Sequence, residues 1–239
     1  MLGTLYPKSV IVAPESPLSS GLRVIKEASS NKKLGKLGKR IQKGRFKDMP
    51  MYAVTLEERA TCSPTCPNLD ICYGDNMPFA TRHTPGPELE DALRADVQHL
   101  SKKHPKGFVV RLHVLGDFYS VEYVQFWFRL LLTYEPLRLF GYTHWQYDHP
   151  IGKAVTKLVK HFGDRVAFRR SDKTIADDPL PSAMTIGQNE PPVPGTVICP
   201  EQTGRTAACT TCGLCLDTMV SVSFIDHSRR GLRTLPLAA

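Results

Sequence analysis

FVVRLHVLGDFYSVEYVQFWFRLLLTYEPLRLFGYTHW, residues 108–145, carries a strand, a helix and a second strand in succession. Residues 108–115 (FVVRLHVL) are a short β-branched and aromatic run closed by Gly116 and Asp117, the pattern of a buried strand. Residues 121–134 form a strongly apolar run of helical length, and residues 137–142 (LRLFGY) read as another strand. The same alternation continues on both sides. Towards the N-terminus, residues 51–56 (MYAVTL) predict a strand. Residues 88–102 predict a helix, because Leu89, Leu93, Val97 and Leu100 recur at roughly helical spacing. Towards the C-terminus, residues 151–162 predict an amphipathic helix that buries Val155, Leu158, Val159 and Phe162. Residues 165–169 (RVAFR), 184–186, 196–198 and 219–225 (MVSVSFI) predict further strands. Strands and helices in this order argue for βαβ units and a parallel sheet, so an α/β fold is expected. Residues 173–195 contain five prolines and predict a long loop, a candidate lid.

Chemistry-bearing residues fall just after the predicted strands: Cys62, Cys66 and Cys72, then Gly116 and Asp117, then Thr143 and His144, then Ser171 and Asp172. Parallel α/β folds bind ligands at the carboxyl ends of their strands, so these groups are expected to share one rim.

The chain has 239 residues, of which 41 % are apolar, enough to bury a core without cross-links. No run of about 18 apolar residues proposes a membrane span. Residues 1–13 lack the pattern of a secretory leader, so a cytoplasmic location with no membrane partner is expected. Thiols stay reduced there, and seven cysteines are an odd number for a disulfide framework, so metal ligation is the expected use.

The formal charge is +8. Lys32, Lys33, Lys36, Lys39, Arg40, Lys43, Arg45 and Lys47 form a run with no acid between them, which suits the phosphates of a nucleic acid or a solvated arm equally. Pro7, Pro14, Pro17 and the LSSG at residues 18–21 break any long element ahead of it. The expected division is a basic N-terminal arm over residues 1–48, a catalytic body over residues 49–198 and a C-terminal cysteine-rich metal-binding segment over residues 199–239.

Cys62, Cys66 and Cys72 lie within eleven positions, and three protein ligands leave a metal with an open coordination position. An iron–sulfur cluster with one free iron is one occupant. A structural zinc closed by a fourth ligand such as His83 is the other. Cys199, Cys209, Cys212 and Cys215 supply four thiols, three of them in a compact C-x-x-C-x-x-C run. Four thiolates complete a 4Fe–4S cluster or a tetrahedral zinc site. That second centre is expected to be structural or to pass electrons.

The C-x-x-x-C interval of Cys62 and Cys66, with Tyr73 directly after Cys72, resembles the cluster loop of radical S-adenosylmethionine enzymes. Five residues precede Cys72 where that family has two. The resemblance implies a partial parallel (β/α) barrel of the radical S-adenosylmethionine type. It implies a catalytic cluster on Cys62, Cys66 and Cys72, S-adenosylmethionine as cofactor, an electron-donor protein as partner and a deoxyadenosyl radical as the reactive species. Tyr73, Gly116, Asp117, Thr143, His144, Arg169 and Ser171 are then expected around the cofactor, with Asp117 on the methionine amino group and Arg169 or Ser171 on the carboxylate or ribose. The stretches VTLEERATCSPTCPNLDICYGDNMPFATR (residues 54–82) and CPEQTGRTAACTTCGLC (residues 199–215) also resemble the phage gene product 88 family, which brings no activity with it.

The substrate is open, with a nucleic acid among the candidates. The alternative function is a non-catalytic nucleic-acid-binding protein with two structural zinc sites. Phosphate-loop, nucleophile-elbow and zinc-deaminase motifs are absent from the sequence, which removes those enzyme classes. His113, Tyr142 and Trp145 read either as rim groups or as packing. Glu57, Glu58 and Arg59 read as a helix turn or a salt-bridged surface, and His149 as a turn residue.

Overall fold

Strand and helix alternate in the computed structural model as the hydrophobic pattern predicts. The structure describes residues 10–11, 17, 20–27, 39–66, 68–69, 72–77, 80–171, 178–217 and 220–226. In chain order the elements are β1 (Val10–Ile11), β2 (Met51–Ala53), α1 (Glu58–Thr61), a 3-10 turn (Tyr73–Asn76), β3 (Arg82–His83), α2 (Pro87–Lys103), β4 (Phe108–Leu112), α3 (Val121–Thr133), β5 (Leu137–Thr143), α4 (Pro150–His161), β6 (Val166–Ser171), β7 (Ser182–Ile186), β8 (Thr196–Ile198), α5 (Cys209–Cys212), α6 (Leu214–Asp217) and β9 (Ser221–Ile225). Seven strands form one sheet in the order β2-β4-β5-β6-β7-β9-β8, and every pairing is parallel. β1 and β3 make a separate parallel pair.

The two faces of the sheet are covered differently. Val110, Leu112, Leu139 and Phe168 point to the side where α2, α3 and α4 lie, and pack with Leu93, Trp127 and Leu158. Met51, Ala53, Val109 and Phe140 point to the other side, against Ile41, Phe46 and Leu216. The second face is thus roofed by residues 41–49 and by α6 rather than by long helices. Helix starts follow local chemistry. Ser120 caps α3 by accepting from the Tyr123 N–H at 3.0 Å, and proline opens both α2 and α4. Among the described residues no helix is long and apolar enough to cross a membrane.

Three expectations are corrected. Residues 173–195 are not one loop, because β7 lies within them and pairs with both β6 and β9. Their prolines flank β7 instead of interrupting it, as a strand that donates on both edges requires. β4 ends at Leu112, so His113 follows the strand. The basic arm, where described, is part of the body. Leu22, Val24 and Ile25 are buried in the main core, Ile41 and Phe46 under the second face. Lys32, Lys33 and Lys36 lie outside the described residues.

Asp96 explains how residues 23–25 are held. It sits on the apolar stripe of α2, buried, and its carboxylate accepts from the N–H groups of Arg23, Val24 and Ile25, each at 2.7 Å. Burial raises its pKa, and the three donors pull the other way. Gly141 shows how tightly the strand ends close: a Cβ there would lie 1.5 Å from the Leu112 carbonyl oxygen.

Two predictions follow from this packing. Asp96→Ala leaves three buried N–H groups without their acceptor, at roughly 1–3 kcal/mol each. Hydrogen exchange should show residues 23–25 losing protection while β5 keeps its own. Gly141→Ala has no room to relax and should cost on the order of 4 kcal/mol or more in urea unfolding; a loss under about 1 kcal/mol would contradict the close approach.

Candidate functional site

All seven cysteines line one cavity of about 250 Å³. Its wall also includes Gly116, Asp117, Thr143, His144 and Ser171, from the ends of β4, β5 and β6, and Thr185 and Phe224 from β7 and β9. It therefore lies at the carboxyl ends of the parallel strands, where such sheets place ligands. Among the described residues, no three cysteine, histidine, aspartate or glutamate side chains close about one point as ligands of a single metal ion would. All seven thiols are free of disulfides. The thiols line a chamber rather than form a closed shell.

The first cysteine loop is built from short-range turns. The Cys62 N–H donates to Glu58 O at 3.0 Å, the Cys66 N–H donates to Ser63 O at 3.0 Å, and Cys72 Sγ accepts from the Gly74 N–H at 3.4 Å as the cap of the 3-10 turn. Arg82 ties the loop to the body. It is buried, pairs with Glu58 at 2.8 Å, and donates to the carbonyls of Met77, Ala80 and Gly74. Glu58 lies in a helix turn, the first residue of α1, and is buried and lines the cavity. His83, the suggested zinc ligand, is not in the cavity wall; it is buried on β3 with both ring nitrogens unpartnered. Burial lowers its pKa to about 4.

The second cysteine segment is anchored from both sides. The Cys199 N–H donates to Ser223 O at 2.9 Å, and the Gln202 side chain exchanges two hydrogen bonds with the Ile225 backbone. Gln42 N–H donates to Thr210 O at 2.8 Å, and a Cβ at Gly213 would lie 2.9 Å from Lys43 O. Arg169, fully buried, donates to the carbonyls of Cys215, Leu214 and Val220 at 2.7, 3.4 and 3.0 Å. Arg45 donates to the carbonyls of Leu216, Val166 and Gly163.

Of the residues expected around a cofactor, Tyr73, Gly116, Asp117, Thr143, His144 and Ser171 share the cavity wall, and Arg169 does not. Its guanidinium holds the backbone of the second cysteine segment instead. Asp117 accepts from the Phe118 and His144 N–H groups, each at 2.7 Å, and from Thr143 Oγ1 at 3.2 Å. Burial pushes its carboxyl up to about 7 against these donors. Gly116 has φ +87°, and a Cβ there would meet Thr61 Oγ1 at 2.6 Å and Leu56 Cβ at 2.7 Å, so glycine is required where this turn crosses α1. His144 Nδ1 lies 2.7 Å from Ser171 O, which makes it the protonated nitrogen. Trp145 is turned aside: its ring stacks on His149 at 4.2 Å and its Nε1 donates to Phe118 O.

The thiols shift one another. Burial pushes Cys62 well up, helped by Asp117, Cys66 and Cys72, and pushes Cys72 up to about 11. Burial also raises Cys212, with Cys215 and Cys199 adding to it. Without a metal, the raised Cys62 and Cys72 thiols stay protonated at neutral pH, unlike an activated nucleophile. Arg111 and His113 were the less visible members of the site. Both line the cavity. The only signal for Arg111 is its isolation as a charge within FVVRL.

No protein-family model matches the chain, and no solved structure matches it. The chain is similar to the Gene 88 protein of Mycobacterium phage D29, with 30 % identity over 138 residues, 52 % of this chain and 56 % of that protein. It thus spans about half the length of the curated relative it matches.

Proposed function

We propose that this cavity is the site of an iron–sulfur enzyme of the radical S-adenosylmethionine kind, with its sheet as a partial parallel barrel. The observation that carries the reading is the convergence of two cysteine groups, distant in sequence, on one chamber at the carboxyl ends of parallel strands. The donor set suits the cofactor. Cys62, Cys66 and Cys72 give three thiolates and leave a metal site open towards the chamber. Burial makes free thiolates unfavourable there, and a cationic cluster supplies the compensation.

Held by Cys62, Cys66 and Cys72, such a cluster would supply a one-electron reductant to S-adenosylmethionine, and the pair would supply hydrogen-atom abstraction from the substrate, with a one-electron donor protein as the source of the electron. The chain's own residues bind and orient. Asp117 offers a carboxylate to the methionine ammonium. Tyr73, Gly116, Thr143, His144 and Ser171 shape the wall for the rest of the cofactor. Arg169 acts one step back, by fixing the loop that carries Cys215. Cys199, Cys209, Cys212 and Cys215 hold a second cluster or a zinc ion.

Lys39, Lys43 and Lys47 are exposed on the segment beside the second cysteine group, and they support recruitment of a nucleic acid. Arg45 is engaged internally and contributes little to such a surface.

Anaerobically reconstituted protein should absorb broadly near about 400 nm. Replacing Cys62, Cys66 and Cys72 by Ala should remove one cluster's iron, keep the second centre and end deoxyadenosine formation. Colourless protein carrying only zinc would overturn the reading in favour of a zinc-bound, non-catalytic nucleic-acid-binding protein. The triple variant Lys39→Glu, Lys43→Glu, Lys47→Glu should weaken nucleic-acid binding at low salt and reduce the slope of log K against log salt by roughly 2–3. An unchanged slope would remove that partner.

A further inference from the structure

Arg111 is a buried cation in the cavity wall that makes no ion pair among the described residues. It projects from β4 onto the second face of the sheet, in register with Phe140 of β5. Its guanidinium lies 5.5 Å from the Tyr142 ring centre, and Tyr142 is itself held edge-on to Phe224 at 5.6 Å. The wall holds four carboxylates: Glu58 pairs with Arg82, Asp117 accepts from the Phe118 and His144 N–H groups and from Thr143, and neither these two nor Glu201 and Asp226 form an ion pair with Arg111 among the described residues. Among the described residues Arg111 makes no ion pair, and its Nε is buried with no hydrogen-bond partner. Its nearest electrostatic neighbours are Tyr73, Tyr142, Cys209 and Cys215, none of them a carboxylate.

Magnitudes say this arrangement is incomplete. Burying a cation costs more than a single cation–π contact returns. The remainder calls for an anion, and the guanidinium's fork fits an oxyanion bidentately. The chamber beside it has room for a small group and is walled by both cysteine groups.

We infer that Arg111 anchors an oxyanion-binding subsite of this cavity, which takes a carboxylate or phosphate group of the substrate and sets it between the two cysteine loops. The subsite is independent of which metal the thiols hold. It limits substrates to those that carry such a group close to the reacting atoms.

The test uses full-length protein, as purified and after anaerobic metal reconstitution, titrated with inorganic phosphate and with acetate at constant ionic strength. Saturable binding of phosphate, acetate or both is expected in the two preparations, and the stronger of the two identifies the class. Arg111→Lys should weaken that binding about tenfold or more, because an ammonium cannot reproduce the fork. Phenylglyoxal labelling of the unaltered protein gives a measurement that no folding defect can confuse: mapped modification of Arg111 should slow in the presence of the bound anion. Absence of saturable binding of either anion, unchanged binding in Arg111→Lys, or unprotected labelling overturns the inference. Binding only to metal-free protein also overturns it, since Arg111 would then be the counter-charge of the metal centre. Iron content and deoxyadenosine formation judge the enzyme proposal separately.

Discussion

A parallel sheet must have both faces buried, because its strands are apolar on both sides. Here α2, α3 and α4 cover one face only. The other face, with Met51, Ala53, Val109 and Phe140, needs a different cover. Residues 41–49 and α6 provide it through Ile41, Phe46 and Leu216. That choice brings the second cysteine group over the strand ends where the first group already lies. The cavity is what remains where this thin roof stops short of the rim, so its chemistry is a consequence of how the second face is closed.

Irregular loops carry carbonyls with no strand or helix to bond them, and buried arginines supply the donors. Arg82 serves the first cysteine loop, Arg169 and Arg45 the second. Hydrogen bonds from charged donors contribute roughly 1.5–3 kcal/mol each. The buried Glu58–Arg82 pair itself roughly breaks even against desolvation. Its value is geometric: Glu58 sits in α1 just ahead of Cys62, so the pair fixes where the loop leaves the body.

The elements were legible where their periods are clean, through MYAVTL and through Leu89, Leu93, Val97 and Leu100; the prolines around β7 hid that strand inside an expected loop. The rim was legible from strand order alone, which is why Gly116, Asp117, Thr143, His144 and Ser171 share one wall. Long-range partners were not. Asp96 occupies the apolar stripe of α2, and only the fold shows the three N–H groups that it receives. Arg169 stands at a strand end like a ligand contact, yet side-chain alternation turns it onto the roofed face beneath the second cysteine segment. Arg111 follows the same alternation, but it lies beyond the edge of the apolar roof and so opens into the chamber.

The cavity's charges are unevenly assigned, and this bears on what it selects. Asp117 has a carboxyl pushed to about 7, so near neutral pH its charge is set by what stands beside it; a neighbouring ammonium draws it to the carboxylate. Arg111 is charged at every accessible pH and makes no ion pair among the described residues. A neutral, apolar occupant leaves the desolvation cost of both groups uncompensated. An occupant with an ammonium at one place and an oxyanion at another relieves both, whether one zwitterion supplies the two groups or a cofactor and its substrate supply one each. The buried thiols push in the same direction, since each thiolate made by a metal adds negative charge that Arg111 offsets and Asp117 opposes. On the proposed reading, occupancy of the thiol centres and of the two charged subsites would be coupled through electrostatics, with no movement of the sheet required.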